Sequence, residues 1–183
     1  MRKIVLVVSA LMLFTVLASA QIPTSGNVFV GYSYYNADLS SLGRSSFNGW
    51  TGSLEGKVLP FIGIVADVSE TYGSENVQIL ACTALLCPSS NISAHEQNFL
   101  FGPRASVSVG KIRPFAEILF GGAHIGARGG SSDTSFATAI GGGIDYKIIR
   151  PIAWRFEGDY VQTRFFGATQ NNVRLSTGIV LRF

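Results

Sequence analysis

Residues 173–183, with the sequence VRLSTGIVLRF, place an apolar residue or threonine at every odd position and end on the aromatic Phe183. Alternation with a period of two is typical of a β-strand that has one apolar and one polar face. The polar face of this segment carries Arg174, Ser176 and Arg182. The segment therefore predicts a strand long enough to cross a bilayer at a tilt, which takes about 9–11 residues.

The opposite end of the sequence has the features of a secretory signal. Arg2 and Lys3 precede an apolar run that ends near Val16, and residues 18–20 (ASA) form the small-x-small pattern that a signal peptidase cleaves. An apolar run of about a dozen residues is too short to cross a bilayer core of about 30 Å as a helix. We expect residues 1–20 to be a cleaved signal peptide and residues 21–183 to form one barrel domain.

The charge of the chain argues against nucleic-acid binding. The sequence has 14 Lys and Arg against 11 Asp and Glu, and two of the basic residues lie in the predicted signal. The remaining charges almost balance and form no basic run that could follow a phosphate backbone. We therefore expect no nucleic acid among the partners.

The rest of the sequence repeats the alternating pattern of its last segment. Mean hydropathy is +0.33 and charged residues make up only 14%, yet no apolar stretch after residue 20 is long enough for a spanning helix. Tight turns follow the second, fourth and sixth segments, and longer loops rich in Ser, Gly and Asn follow the others, which is the asymmetry of outer-membrane barrels. The eight predicted strands cover residues 28–37, 48–58, 61–72, 96–109, 113–124, 135–147, 152–164 and 172–183.

Each predicted strand has one apolar and one ionic face. On the seventh strand, for example, Trp154 and Phe156 lie on one side and Arg155 and Glu157 on the other. A soluble barrel would bury the apolar face and a membrane barrel the ionic face, so alternation alone leaves both possibilities open. The secretory signal, the terminal aromatic residue and the sparse charge favour the membrane barrel.

In a membrane barrel the ionic faces converge on the lumen. Eight strands enclose a space that is just wide enough for their own side chains to fill, and charges removed from water persist when they are paired. We therefore expect a balanced ion-pair network that leaves no wide diffusion pore. Its predicted members are Glu55, Lys57, Asp67, Arg104, Glu117, Asp145, Lys147, Arg155, Glu157, Asp159, Arg174 and Arg182.

Aromatic residues near the strand ends predict two interfacial girdles, because such residues collect where lipid meets water. Those near the loops are Tyr34, Trp50, Tyr72, Phe99, Phe136 and Tyr160, and those near the tight turns are Phe61, Tyr146, Trp154 and Phe183.

Together these features resemble the small outer-membrane β-barrel family of the OmpA/OmpX type. The resemblance lies in the terminal strand ending in Phe183, the passage GGGIDYK at residues 141–147 that leads into residues 154–160, and the eight-strand spacing. It implies an all-β, eight-stranded antiparallel up-and-down barrel in the bacterial outer membrane, without a periplasmic peptidoglycan-binding domain. It also implies that Phe183 is the assembly signal for the barrel assembly machinery, and that outer-membrane lipids and lipopolysaccharide surround the protein.

Members of this family include structural proteins, adhesins, surface-defence proteins and a few lipid-modifying enzymes. We expect a non-enzymatic surface protein without cofactor or metal, whose extracellular loops are available for adhesion or ligand binding. A narrow channel for small solutes is one alternative, and a lipid-modifying enzyme is another. Ser131, Asp133 and His124 could approach one another in space, but the sequence lacks a His-x-Ser pair.

The second long loop, predicted at residues 73–95, contains both cysteines of the chain. Cys82 and Cys87 are close in sequence, and an exported protein meets oxidising conditions, which favours a disulfide between them. Two free thiols or a metal site are the alternatives, and only His95 stands nearby as a further ligand.

Overall fold

The structure, a computed structural model, is a closed barrel of eight antiparallel strands. It describes residues 25–38, 44–77, 90–127, 132–167 and 169–183, so the predicted signal peptide and the Cys82 and Cys87 pair lie outside the described residues. The predicted fold class is confirmed. The strands are Gly26–Asp38 (β1), Arg44–Lys57 (β2), Ile62–Val77 (β3), Ser90–Ser106 (β4), Ile112–Ala127 (β5), Ser132–Lys147 (β6), Ile152–Thr163 (β7) and Gln170–Arg182 (β8).

Each strand pairs with the next in sequence, and β1 closes the barrel by pairing with β8. The closing pair ends at Gly26 and Phe183, whose backbones exchange two hydrogen bonds of 2.9 and 3.0 Å. Closure leaves no sheet edge with unpaired backbone groups, which is the condition for placing a sheet in lipid.

One end of the barrel has tight turns, and we call it the turn end. Val109 and Ile112 exchange two backbone hydrogen bonds of 2.8 and 3.1 Å in the turn between β4 and β5. Gly110 has a φ of +63° there, a conformation that is costly for residues with a side chain. The opposite end, which carries the four longer connections, is called the loop end below.

At the loop end the hairpins are longer than the sequence predicted. β3 and β4 stay paired as far as Val77 and Ser90, so the loop predicted at residues 73–95 is wrong in its bounds and residues 78–89 connect the strands. β6 begins at Ser132, which places Asp133 in a strand and not in a loop. The alternation of apolar residues fades here because neither face of a strand beyond the bilayer contacts lipid.

The barrel has the opposite polarity from a soluble protein. Along β7 the side chain of Trp154 is 55% exposed while its neighbour Arg155 is 0% exposed. Large apolar residues cover the outer face on all eight strands, and both predicted aromatic girdles lie on that face. The apolar face therefore points towards lipid and the ionic face towards the lumen, as the sequence predicted.

The only helix in the described ranges is a short 3₁₀ helix, Phe165–Gly167, between β7 and β8. No helix in this part of the chain is long and apolar enough to cross a membrane.

Candidate functional site: the barrel interior and its outer surface

Arg155 illustrates how charges are held inside the barrel. Its guanidinium donates to both carboxylate oxygens of Asp145, over 2.7 and 3.1 Å. The rings of Phe29 and Phe115 lie 4.9 and 4.5 Å from the guanidinium carbon. Bidentate pairing and two aromatic contacts together compensate for the lost hydration of a buried cation.

Arg104 links three strands across the lumen. It donates to Glu117 over 2.6 Å, to Glu55 over 3.3 Å and to Glu157 over 3.3 Å. All four side chains are buried. Because one guanidinium has five N–H donors, a single arginine can bridge carboxylates from β2, β5 and β7.

Arg174 forms a second bridge towards the loop end. It donates to Asp159 over 2.9 Å, to Asp67 over 2.7 Å and to Ser69 over 3.1 Å. Glu157 lies between the two bridges, 3.3 Å from Arg104 and 3.9 Å from Arg174. The structure thus brings nine predicted network members into contact, and Arg182 joins them at 3.2 Å from Asp145.

Two predicted members do not join the network. Lys57 and Lys147 have the predicted parity, but they are only half-buried at the turn end and make no ion pair with the part of the chain that the structure describes. Their inclusion was wrong because strand parity decides which face a side chain occupies, and not how deep it lies. A lysine at the rim keeps its ammonium in water, where it is strongly hydrated.

Two interior charges were missed by the sequence analysis. Arg113 is buried, pairs with Glu55, and donates to Ser106 over 2.6 Å. Glu96 is buried and accepts hydrogen bonds from Tyr35 and Asn98 over 2.9 and 3.2 Å. Each stands at the first residue of a predicted strand, where alternation could not yet be followed. The shared parity of Arg113 and Glu117 was the signal that could have assigned the first.

The loop half of the lumen holds a cluster of apolar side chains beside the buried polar groups of Glu96, Asn98 and Asn172. Along β5 the inward residues change from Arg113 and Glu117 near the turn to Leu119 and Ala123 near the loop. Phe165 of the 3₁₀ helix is 0% exposed and packs into an apolar cluster near the loop end. The cluster comprises Tyr35, Phe47, Val65, Leu100, Leu119, Ala123, Ala137, Ala139, Val161 and Phe165.

Glycines in β6 make space for the ionic half. Gly141 is paired with Glu117 on one side and Asp159 on the other, and Gly143 is paired with Glu157. A Cβ atom at Gly141 would collide with Asp159 Oδ1, and one at Gly143 would lie 2.8 Å from the Phe115 ring. The glycines in the passage at residues 141–147 therefore admit charged side chains from the neighbouring strands.

A groove of about 300 Å³ lies on the outer face near the loop end. Its lining includes the exposed ring of Phe136, the amide of Gln162 and the cationic Arg164. An apolar wall next to one cation and polar side chains suits an amphiphile with an anionic head group.

The residues weighed for catalysis do not form a triad in the described ranges. His124 faces outwards and its Nδ1 lies 2.7 Å from the hydroxyl of Thr134, the residue paired with it on β6. Ser131 lies outside the described residues, and Asp133 is paired with Ile125 in the strand ladder. The contact that the structure gives His124 is therefore with a threonine on the neighbouring strand.

Several solved structures share this fold. Neisserial surface protein A matches with a TM-score of 0.66 and 13% identity over 86% of this chain and 97% of that chain. Ail, the attachment invasion locus protein of Yersinia pestis, matches with a TM-score of 0.55 and 12% identity over 87% and 98%. A second Ail structure, in complex with the heparin analogue sucrose octasulfate, matches with a TM-score of 0.53 and 13% identity over 87% and 98%.

No protein-family model and no curated protein matches the sequence. The likeness to these solved structures therefore concerns the fold. The closed eight-stranded topology and the apolar outer surface confirm the resemblance to small outer-membrane barrels. This chain has the closed all-β barrel fold of that group, with an apolar outer surface of the kind that lipid covers.

Proposed function

We propose that the protein is a non-enzymatic surface barrel that presents its loops for attachment or ligand binding and does not pass solutes. The observation that carries this proposal is the filled lumen, with a buried ion-pair network in the turn half and an apolar layer in the loop half. A barrel with a filled interior holds its loops in fixed positions and offers no aqueous path.

The filled interior argues against the narrow-channel alternative. A permeating ion would have to separate buried pairs such as Arg104 and Glu117, leaving charges without partners in a region that excludes water. It would also have to displace packed apolar side chains of the cluster that includes Phe165, whose surfaces cannot replace its hydration shell.

Attachment as the role of the loops draws support from one structural neighbour. Ail is named for attachment and invasion, and one of its structures contains a heparin analogue. This chain extends its β3–β4 hairpin to Val77 and Ser90 before residues 78–89 connect the strands. We infer that this connection contributes to the extracellular binding surface.

Conductance and binding measurements test the two parts of this proposal. The wild-type barrel in a planar bilayer should show no steady conductance, and large stable channels would refute the closed lumen. Residues 78–89 can be replaced by Asn-Gly, since two such residues close a hairpin when the flanking strands are paired. The shortened barrel should stay folded and lose binding to host cells or sulfated glycans, and unchanged binding would contradict the loop's role.

Lipopolysaccharide is the partner that we propose for the outer groove. Arg164 stands on the outer face at the loop end, where the phosphates of an outer-leaflet lipid would lie. Arg164→Ala should lower the amount of lipopolysaccharide that co-purifies with the barrel. Arg150→Ala is the matched control, because Arg150 is exposed in a turn at the opposite end. Equal losses in both variants would contradict the assignment.

The non-enzymatic part of the proposal can be tested on the same lipid. After incubation with the folded barrel, the mass spectrum of lipid A should be unchanged. Release of an acyl chain by the wild type, but not by His124→Ala, would instead favour the lipid-modifying alternative.

A further inference from the structure

We propose that the lumen binds one calcium ion through Glu117, Glu157 and Asp159. These side chains come from β5 and β7, are 3%, 0% and 3% exposed, and each brings a carboxylate oxygen to within 4.8 Å of the other two. Three convergent carboxylates in a closed interior form the donor set that hard cations prefer.

The hydrogen bonding of the three carboxylates points to a further ligand. Glu117 Oε1, Glu157 Oε1 and Asp159 Oδ1 are buried and make no hydrogen bond in the described part of the chain. Glu157 Oε1 lies 3.9 Å from an Arg174 nitrogen, which is beyond hydrogen-bonding distance. Each carboxylate thus engages arginine through one oxygen and leaves the other without a hydrogen bond, although buried polar atoms are normally satisfied.

The interior charge is also unbalanced. Lys57 and Lys147 stay at the rim, so the buried positive charge comes from arginines alone. Among the described residues, seven buried carboxylates face four buried guanidiniums and the half-buried guanidinium of Arg182, and a divalent cation would reduce this excess of negative charge. The carboxylates are Glu55, Asp67, Glu96, Glu117, Asp145, Glu157 and Asp159, and the guanidiniums are those of Arg104, Arg113, Arg155, Arg174 and Arg182.

The spacing of the oxygens is compatible with calcium, whose coordination is wider and more flexible than that of magnesium. Ca²⁺ binds oxygen at about 2.3–2.6 Å, so two of its ligands can stand up to about 5 Å apart, whereas the short bonds of Mg²⁺ limit that separation to about 4.2 Å. The three oxygens lie within 4.8 Å of one another, which is inside the span that calcium allows. Ser176, the partner of Glu157 on β8, offers a hydroxyl oxygen without a hydrogen bond as a neighbouring donor.

The glycines of β6 explain how the carboxylates come together. Gly141 separates Glu117 from Asp159 in the strand register, and any side chain at this position would occupy the space beside Asp159 Oδ1. The sequence thus leaves an open position between two acidic neighbours. The calcium site would give the glycine passage at residues 141–147 a role in ligand binding as well as in the barrel fold.

Metal analysis of the whole barrel tests the proposal directly. Protein refolded in detergent with CaCl2 and then desalted should retain about one calcium ion per barrel, measured by mass spectrometry of the metal. Glu157→Gln and Asp159→Asn should lose it, because an amide keeps the shape of the side chain but not its charge. Glu96→Gln, buried outside the site, and Glu70→Gln, on the outer face, are the controls that should retain calcium.

A measurement on the wild type alone guards against variants that fail to fold. EGTA should lower the temperature at which the folded barrel converts to the unfolded band on a heat-modification gel. Added CaCl2 should restore the original unfolding temperature. Bound protons are the rival explanation for the excess of carboxylates. The calcium site would be overturned in favour of bound protons by three results together. The barrel would contain no calcium, EGTA would not change its unfolding temperature, and an infrared carboxylic-acid band would disappear in Glu157→Gln.

Discussion

A single buried guanidinium shows how this interior is stabilised. Arg155 has no exposed surface, pairs with Asp145 and packs against the rings of Phe29 and Phe115. The pair itself adds little net stability, because both ions had to leave water. Removing one partner is different, since it leaves the other charge buried without compensation.

We therefore expect Arg155→Ala to destabilise the barrel by about 3–5 kcal/mol, the usual cost of breaking a buried pair. Lys111→Ala is the matched control, because Lys111 is exposed in a turn and contributes its backbone carbonyl to the fold. Urea unfolding followed by the gel shift of heat-modifiable barrels gives both values. Equal stability of the two variants would show that Arg155 does not need its partners.

Residue by residue, the sequence predicts the face of a side chain better than its depth. Arg104 and Arg174 were assigned to the lumen because alternation carries through the middle of a strand. Lys57 and Lys147 have the same parity, yet they lie where the lumen meets water. Which arginine meets which carboxylate depends on the tilt and register of the closed barrel, so contacts such as Arg174 with Asp67 could not be derived from one strand.

At the scale of elements, alternation located all eight strands but not their loop ends. β3 and β4 continue through residues 73–77 and 90–95, a polar region in which backbone pairing persists without an apolar face. The turn ends were predicted more closely: β6 ends at Lys147 and β7 begins at Ile152, as predicted, because a tight turn interrupts the alternation there. Strand length beyond the bilayer depends on backbone pairing, which side-chain periodicity does not report.

The connection between β3 and β4 contains the predicted disulfide of Cys82 and Cys87. We expect the intact mass of the unreduced protein to lack the two thiol hydrogens, and neither cysteine to react with an alkylating reagent. Cys82→Ser with Cys87→Ser should leave the barrel as stable as the wild type, because the strand ladder closes without this loop. Alkylation of both cysteines in exported protein would contradict the prediction.

Pairing of β8 with β1 gives Phe183 a structural role besides its predicted role as an assembly signal. Deleting this residue removes both backbone hydrogen bonds to Gly26, so we expect several-fold less folded protein in the outer membrane. Phe156→Ala is the control, because Phe156 is a lipid-facing aromatic of similar exposure on β7. Membrane fractionation followed by the heat-modification gel measures the difference. Equal amounts of the two variants would remove any special role for Phe183.

As a whole, the molecule has a dry, apolar outside and an ionic inside. This arrangement is stable only when lipid covers the outer face, since so much exposed apolar surface would drive association in water. The sequence predicted this arrangement correctly, because the alternation of faces and the scarcity of charge are properties of the chain as a whole. The apolar layer at the loop end was not predicted, because it needs Phe165 to fold inwards from outside the strands.

The two tryptophans test this orientation. Trp50 lies six residues from the loop end of β2 and Trp154 lies two residues from the turn end of β7, both on the outer face. In liposomes the single-tryptophan variants Trp50→Phe and Trp154→Phe should both be quenched by spin labels attached near the lipid head groups, and less by labels at mid-chain. Tryptophan fluorescence typical of a water-exposed residue, with no quenching by the spin-labelled lipids, would place these aromatic residues inside the barrel.

The position of Phe165 has a consequence for engineering the barrel as a carrier. The connection between β7 and β8 places this ring in the lumen. The connection therefore contributes to the packing of the barrel interior as well as to the extracellular surface. A foreign peptide inserted beside Phe165 would disrupt the packing of this ring against the buried apolar cluster. The connection between β3 and β4 rests instead on a paired hairpin that extends beyond the filled lumen. Foreign peptides are therefore best inserted there, because their sequence can vary without changing the strands or the interior of the barrel.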